Sequence, residues 1–288
     1  MDRADLDAPR AREICAELDA LVVALRESGL RSSNWYGGLD GYGDLADWER
    51  ANRGLRYEPL PGAADDERYP WFLYWEIAWL DAHNDFHAGQ RLLDLGGSSS
   101  LFSCYMAARG LDVVTMDLNE KLVANGEALA VETGWSLHNV RMDMRDLDEA
   151  TLGGRFDHIT SVCVFEHLPM AGRIEVSRRI RDLLVDGGSF SITFDYLNPS
   201  QLARITSPAD VEEQFVAPCG LRVRGNREFH DNGLRYLMHP FHHPRAREEG
   251  WERLSIERGQ FEPGQVGEPA DRGEYTFGAL FQERAPAG

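Results

Sequence analysis

Apolar residues first recur at helical spacing in the stretch 9–28, where Ile14, Leu18, Leu21, Val22 and Leu25 share one face and Gly29 stops the helix. Residues 31–66 lose that rhythm. Within them Asn34 to Gly43 mixes glycines with aromatics, which suits either a binding loop or a surface loop anchored by its rings. The helical pattern returns at Tyr69–Leu80, with Trp71, Trp75 and Trp79 at i, i+4 and i+8. That spacing predicts a helix packed on a core; a second reading, compatible with it, has the N-terminal end at Tyr69 and Trp71 wall a pocket.

From 90 to 195 short apolar runs of strand length alternate with helical patterns. Such alternation predicts an α/β fold, a doubly wound and mostly parallel sheet with helices on both sides. The run Arg91–Leu95 reads as a buried strand, Gly96 and Gly97 as a tight turn, and Ser98 to Ser100 as caps for a helix over Leu101–Arg109. Val113–Asp117 reads as the next strand. Beyond Phe194 the punctuation changes, with Pro199, Pro208, Pro218 and Gly220. Ser207-Pro208-Ala209-Asp210 is a helix start. Leu221 to Phe229 alternates like a strand, 230–272 is long and irregular, and Tyr275–Phe281 is a last strand. The chain therefore divides into an N-terminal helical and aromatic cap (1–88), a core (89–196), and a C-terminal part (197–288) with an insertion near 230–272.

Composition narrows the partners. A formal charge of −18 over 288 residues disfavours a nucleic-acid backbone or an anionic membrane surface. No apolar run reaches about 18 residues, so no membrane span is expected. The four cysteines form no C-x-x-C pair, which fits reduced thiols in a cytoplasmic protein. The acidic N-terminus does not read as a signal peptide. Lys121 is the single lysine among 30 basic residues. That bias suggests GC-rich coding and hence a bacterial source.

The turn after the first strand is where chemistry enters. A strand, a glycine turn and a helix N-terminus together cradle a nucleotide. Asp117 follows about twenty residues later, where such folds place an acid on ribose hydroxyls. Ser98 replaces the second glycine of a pyrophosphate-binding G-x-G-x-x-G, and an acid, Asp94, precedes Gly96. An acid there suits an ammonium group and no phosphate, as in S-adenosylmethionine.

These motifs resemble the class I S-adenosylmethionine-dependent methyltransferases. The family's D-x-G-x-G-x-G stands as Asp94-Leu95-Gly96-Gly97-Ser98-Ser99-Ser100, with serines for the second and third glycines. Met142–Leu147 resembles the segment after the third strand, Phe156–Pro169 the fourth strand with its E-H-x-P exit, and Leu184–Phe194 the fifth strand. The resemblance implies a Rossmann-like sheet of seven strands, the last antiparallel, and a small-molecule acceptor. It implies that Asp94 holds the methionyl ammonium and that Gly96 and Gly97 let the backbone approach the cofactor. Asp117, with Leu118, would take the ribose. Asp143 and Met144 would take the adenine, and Val164 and Phe165 would meet the cofactor from the fourth strand.

Candidates for the transfer itself are His167 and Asp195, at strand ends on the ligand-binding edge. Tyr36, Tyr69, Trp71, Tyr196, His239, His242 and His243 are candidates for contact with the acceptor. No metal is expected, because adjacent His242 and His243 lack a carboxylate at ligand spacing. The acceptor atom, whether oxygen, nitrogen or carbon, and the oligomeric state stay open. The rival readings are a non-methylating reaction such as a cyclisation on the same fold, and a cofactor-binding regulator without turnover.

Overall fold

The computed structural model describes residues 1–35, 37–39, 69–198, 205–225, 229–238 and 273–286. Among them the backbone forms one sheet with strands in the order β3-β2-β1-β4-β5-β8-β6. These are β1 (Arg91–Leu95), β2 (Asp112–Asp117), β3 (Leu137–Arg141), β4 (Phe156–Val162), β5 (Leu184–Tyr196), β6 (Arg222–Val223) and β8 (Gly273–Glu283). Strands β1 to β5 run parallel, and β8 lies antiparallel between β5 and β6. The seven expected strands and the antiparallel last strand are therefore present.

An eighth strand, β7 (Tyr236–Met238), falls in the stretch expected to be irregular. It pairs with the first residues of β8, Tyr236 opposite Tyr275. Conversely, of the strand expected over Leu221–Phe229 the described residues show only the two of β6. Both edge pieces follow β8, a partner far away in sequence that no local pattern encodes.

Side-chain alternation splits the sheet's apolar residues between two cores. Leu92 and Val113 face one layer, built by α1 (Pro9–Glu27), α2 (Trp71–His83) and α3 (Leu101–Ala108). Leu93, Leu95, Val114 and Met116 face the other, which α5 (Met170–Leu183) covers with Val176, Ile180 and Leu183. Between α3 and α5 in sequence lies α4 (Glu120–Thr133). Helix α2 corrects the single-stripe expectation. Wedged against both α1 and the sheet, it is buried on nearly every side, including Phe72, Tyr74 and Ile77, and Trp79 is its least covered tryptophan.

The strand order reverses between β1 and β4. In such sheets the crevice outside the carboxyl ends of those strands receives the ligand.

Candidate functional site

A cavity opens at that reversal. Its floor is the turn Asp94–Ser100, its flanks are the ends of β2 and β4, and its cover includes Ser33, Asn34, Trp35 and Leu73.

Asp94, next to last in β1, is wholly buried. Its carboxylate accepts hydrogen bonds from Ser103 Oγ (2.7 Å), Thr160 Oγ1 (3.1 Å) and Ser100 Oγ (3.4 Å). Burial pushes its carboxyl up to about 6 despite those three hydroxyls. Gly96 has φ +79°, and its N–H donates to Met116 O at 2.9 Å. A Cβ on Gly96 would stand 2.3 Å from Val164 Cγ1. The serines that replace motif glycines have their own partners. Ser98 Oγ bonds Thr115 Oγ1 of β2 at 2.8 Å, and Ser100 caps α3 by accepting from Ser103 N–H.

Asp117 stands half-buried at the cavity wall, accepting from Asn119 N–H at 2.8 Å. Burial pushes its carboxyl up to about 7, the N–H groups of Asn119 and Leu118 oppose that rise, and the Asp94 charge adds to it. Leu118, Leu122, Met142 and Met144 form the adjoining apolar wall. Val164 lines the cavity as well.

Other expected residues lie elsewhere. Asp143 is buried off the cavity, where it caps a short turn and accepts from Arg145 Nε (3.2 Å) and Nη2 (2.9 Å). Phe165 is also off the wall, packed edge-on to Phe190 in the second core. Past the end of β4 the backbone leaves the extended form, with Cys163 at φ +51° and Phe165 opening a short 3-10 turn, which sets Val164 on the wall and Phe165 in the core. Tyr69 is bonded to Ser32 Oγ at 2.7 Å, and Trp71 packs edge-on against Tyr236. Neither reaches the cavity, and Leu73 does so in their place. Tyr196 lines a different hollow beside β8, with Trp75 and Phe229. Tyr36, His239, His242 and His243 lie outside the described residues.

His167 and Asp195 are brought together, and sequence reasoning missed what surrounds them. His167 lines the cavity beside Cys163, with Nε2 3.8 Å from Glu166 Oε1. Glu166 is wholly buried and accepts the Asp195 N–H at 2.9 Å. The Asp195 carboxylate accepts from Asn198 Nδ2 at 2.7 Å and from Cys163 Sγ at 3.6 Å. Behind them Glu76 of α2 is wholly buried too. Burial pushes all three carboxyls upward, Glu166 to about 7. The neighbouring Glu166 charge raises Asp195 further, and both charges raise Glu76. A glutamate inside the aromatic run of α2 was the available signal for this cluster.

The site's donor set suits S-adenosylmethionine. Asp94 would supply an acid for the ammonium and Asp117 an acceptor for the ribose, and the glycines leave room that a Cβ would fill. The methyltransferase-domain family matches residues 92–188, the segment that carries all of these groups.

Residues 92–188 are a methyltransferase domain, and the chain has the fold of the class I S-adenosylmethionine-dependent methyltransferases.

Curated relatives of this methyltransferase include the ubiquinone biosynthesis O-methyltransferase of Dechloromonas aromatica, 26% identical over 197 residues, or 58% of this chain and 84% of that one. The protein of the same name from Pseudomonas syringae pv. tomato is 30% identical, over 53% of this chain and 62% of that one. That from Azoarcus sp. is 32% identical, over 32% and 39%. Among solved structures, the [4+2]-cyclase SpnF aligns with a TM-score of 0.51 at 16% identity, covering 97% of this chain and 98% of that one. A sarcosine dimethylglycine methyltransferase from Galdieria sulphuraria aligns with a TM-score of 0.50 at 15% identity, covering 83% and 97%. At that identity the structural likenesses speak for the fold alone. No helix among the described residues is long and apolar enough to cross a membrane.

Proposed function

We propose that this methyltransferase acts on a hydroxyl oxygen of a small, largely apolar acceptor. The observation that carries the reading is His167, set in the cavity wall with the Glu166 carboxylate 3.8 Å behind it. Bound S-adenosylmethionine supplies an electrophilic methyl on a sulfonium, which leaves as a neutral thioether and needs no acid. An oxygen nucleophile must instead lose a proton, and that is where a positioned acceptor helps. His167 would receive it, and Glu166 would stabilise the imidazolium.

Asp94 would hold the methionyl ammonium and Asp117 the ribose, fixing the reacting end against the β4 exit. Trp35, Leu73, Phe102 and Leu168 would enclose the acceptor and exclude water. Holding two reactants in line contributes roughly 7–11 kcal/mol at best, so alignment is the larger part of the work. The printed name shared by the curated relatives, an O-methyltransferase, supports oxygen over nitrogen and carbon.

The test is transfer from methyl-labelled S-adenosylmethionine to phenols, catechols, amines and carbon acids, with the labelled methyl's NMR shift read in the product. A methoxy signal from the phenolic set is expected. Methyl on nitrogen or carbon, with the phenols inert, would overturn the reading.

A further inference from the structure

Cys163, Glu166, His167 and Asp195 place one ligating atom each within 4.8 Å of all the others. A tetrahedral zinc site has ligand bonds of about 2.0–2.3 Å, hence ligand–ligand separations of about 3.3–3.8 Å. Closing the four donors onto one ion therefore needs a contraction of roughly 1 Å. Two of them, Cys163 and His167, already belong to the cavity wall.

Proximity alone would not point to an ion, but the leftover lone pairs do. Glu166 is wholly buried, and its Oε2 has no hydrogen-bond partner among the described residues. Neither oxygen of the wholly buried Glu76 makes a hydrogen bond of normal geometry, although Thr193 and Trp35 are near enough to ease its carboxyl downward. Glu76 comes from a different helix and feels the charges of Glu166 and Asp195. Buried acceptors without donors are costly. The Cys163 thiol and the Arg173 charge ease the Glu166 carboxyl downward without bonding Oε2. Arg173 donates to the carbonyls of Leu168 and Glu166 and to Gln214. The left-handed φ at Cys163, which places the thiol in the cluster, is a strain that non-glycine residues carry mostly at functional sites.

We propose that Cys163, Glu166, His167 and Asp195 bind a divalent transition-metal ion, zinc foremost, in the wall of the methyl-acceptor cavity. A sulfur, an imidazole nitrogen and two carboxylate oxygens are a donor set that zinc accepts and magnesium does not favour. Glu76 would stay outside the coordination shell and keep its proton, because the ion with a thiolate and two carboxylates already carries a net negative charge. The ion would release the protons that the buried thiol and carboxyls otherwise hold. With the ion bound, His167 is a ligand and takes no proton; the ion would instead acidify an acceptor hydroxyl within its reach, a use that rests on the oxygen methylation proposed above. The binding itself rests on the four residues alone. The sequence hid this site because β5 supplies Asp195 from 28 residues beyond His167.

Chelator-stripped full-length protein is titrated with Zn²⁺ against a chromophoric chelator, and with Co²⁺ under visible and near-ultraviolet absorption. Binding at one ion per chain is expected, with a sulfur-to-cobalt charge-transfer band that Cys163→Ser abolishes. Glu166→Gln and Asp195→Asn should each weaken Zn²⁺ by at least about tenfold while circular dichroism stays native. If those variants fail to fold, the cobalt band of the unaltered protein still decides. No stoichiometric binding, a cobalt spectrum without sulfur ligation, or affinity that survives the cluster variants and vanishes in a His239, His242, His243 triple alanine variant would each overturn the site. S-adenosylmethionine binding is measured on the same samples. Its presence without zinc sinks this inference alone, and its absence with zinc bound sinks the functional reading alone.

Discussion

A Cβ placed on Gly97 would stand 1.8 Å from Oδ2 of Asp94. No rotamer change at residue 97 can relieve that contact, because Cβ is fixed by the backbone. Asp94 would have to swing away from Ser103 and Thr160, its present donors. We expect Gly97→Ala to weaken S-adenosylmethionine binding at least about tenfold, roughly 1.4 kcal/mol. A double-variant cycle checks the cause. With Asp94→Ala already made, Gly97→Ala should cost little more, and calorimetry showing additive losses would mean that the glycine acts on something other than Asp94.

Asp117→Ala removes the acceptor proposed for the ribose. Hydrogen bonds to a charged group run about 1.5–3 kcal/mol each, so cofactor affinity should fall by about tenfold or more. The side chain is half-buried at a strand end and its raised carboxyl disfavours the ligand-free fold near neutral pH, so thermal stability there should not fall. Unchanged affinity in the folded variant would refute the assignment.

Asp143 behaves differently because of Arg145. Its carboxylate caps the turn and holds that guanidinium, so Asp143→Ala is expected to cost about 0.5–2 kcal/mol of stability. Cofactor affinity should fall by less than in Asp117→Ala. Denaturant unfolding and calorimetry on the pair distinguish the two. Full stability with a tenfold affinity loss would return Asp143 to the cofactor site.

The pH dependence follows from two raised carboxyls, Asp94 at about 6 and Asp117 at about 7. Only their ionised forms can hold an ammonium or accept from ribose, so cofactor affinity should rise between about pH 6 and pH 8. Stability of the ligand-free protein runs the other way. A carboxyl whose folded pKa exceeds its unfolded value stabilises the fold fully below the unfolded value, about 4, and loses that contribution as pH climbs through the folded one. Unfolding scans without ligand should therefore show these groups' contribution declining from about pH 4 to pH 7. Cofactor affinity that stays flat across the upper window would remove both acids from the binding site.

What the sequence revealed is what local periodicity encodes. The run Leu92, Leu93, Leu95 before Gly96 marks β1 and places Asp94 near its end, and the spacing to Asp117 marks β2. The cavity cover was not legible. Ser33 N–H donates to Ser99 O at 2.6 Å, and Trp35 packs edge-on against Phe72 and Phe277, contacts that join distant stretches and leave no repeat to read. Phe165 was expected at the cofactor by resemblance alone; past Cys163 the backbone turns left-handed and sets its ring in the second core. Glu166 and Asp195 were seen singly, and only the parallel pairing of β4 with β5 makes them neighbours.

The bond from Ser33 to Ser99 bears on how this chain could be cut or grafted. The segment that the family matches, 92–188, includes the turn, both cofactor acids and the β4 exit. It lacks α1 and α2, which shield Leu92, Phe102 and Val113, and it lacks β8, which pairs with β5. Excised as a cassette, it would turn those side chains to water, where each apolar side chain of that size forfeits about 1.5–3 kcal/mol of burial. The stretch by which the enzyme is most easily recognised is not a portable module, and transplants into another scaffold should carry α1, α2 and β8 with it.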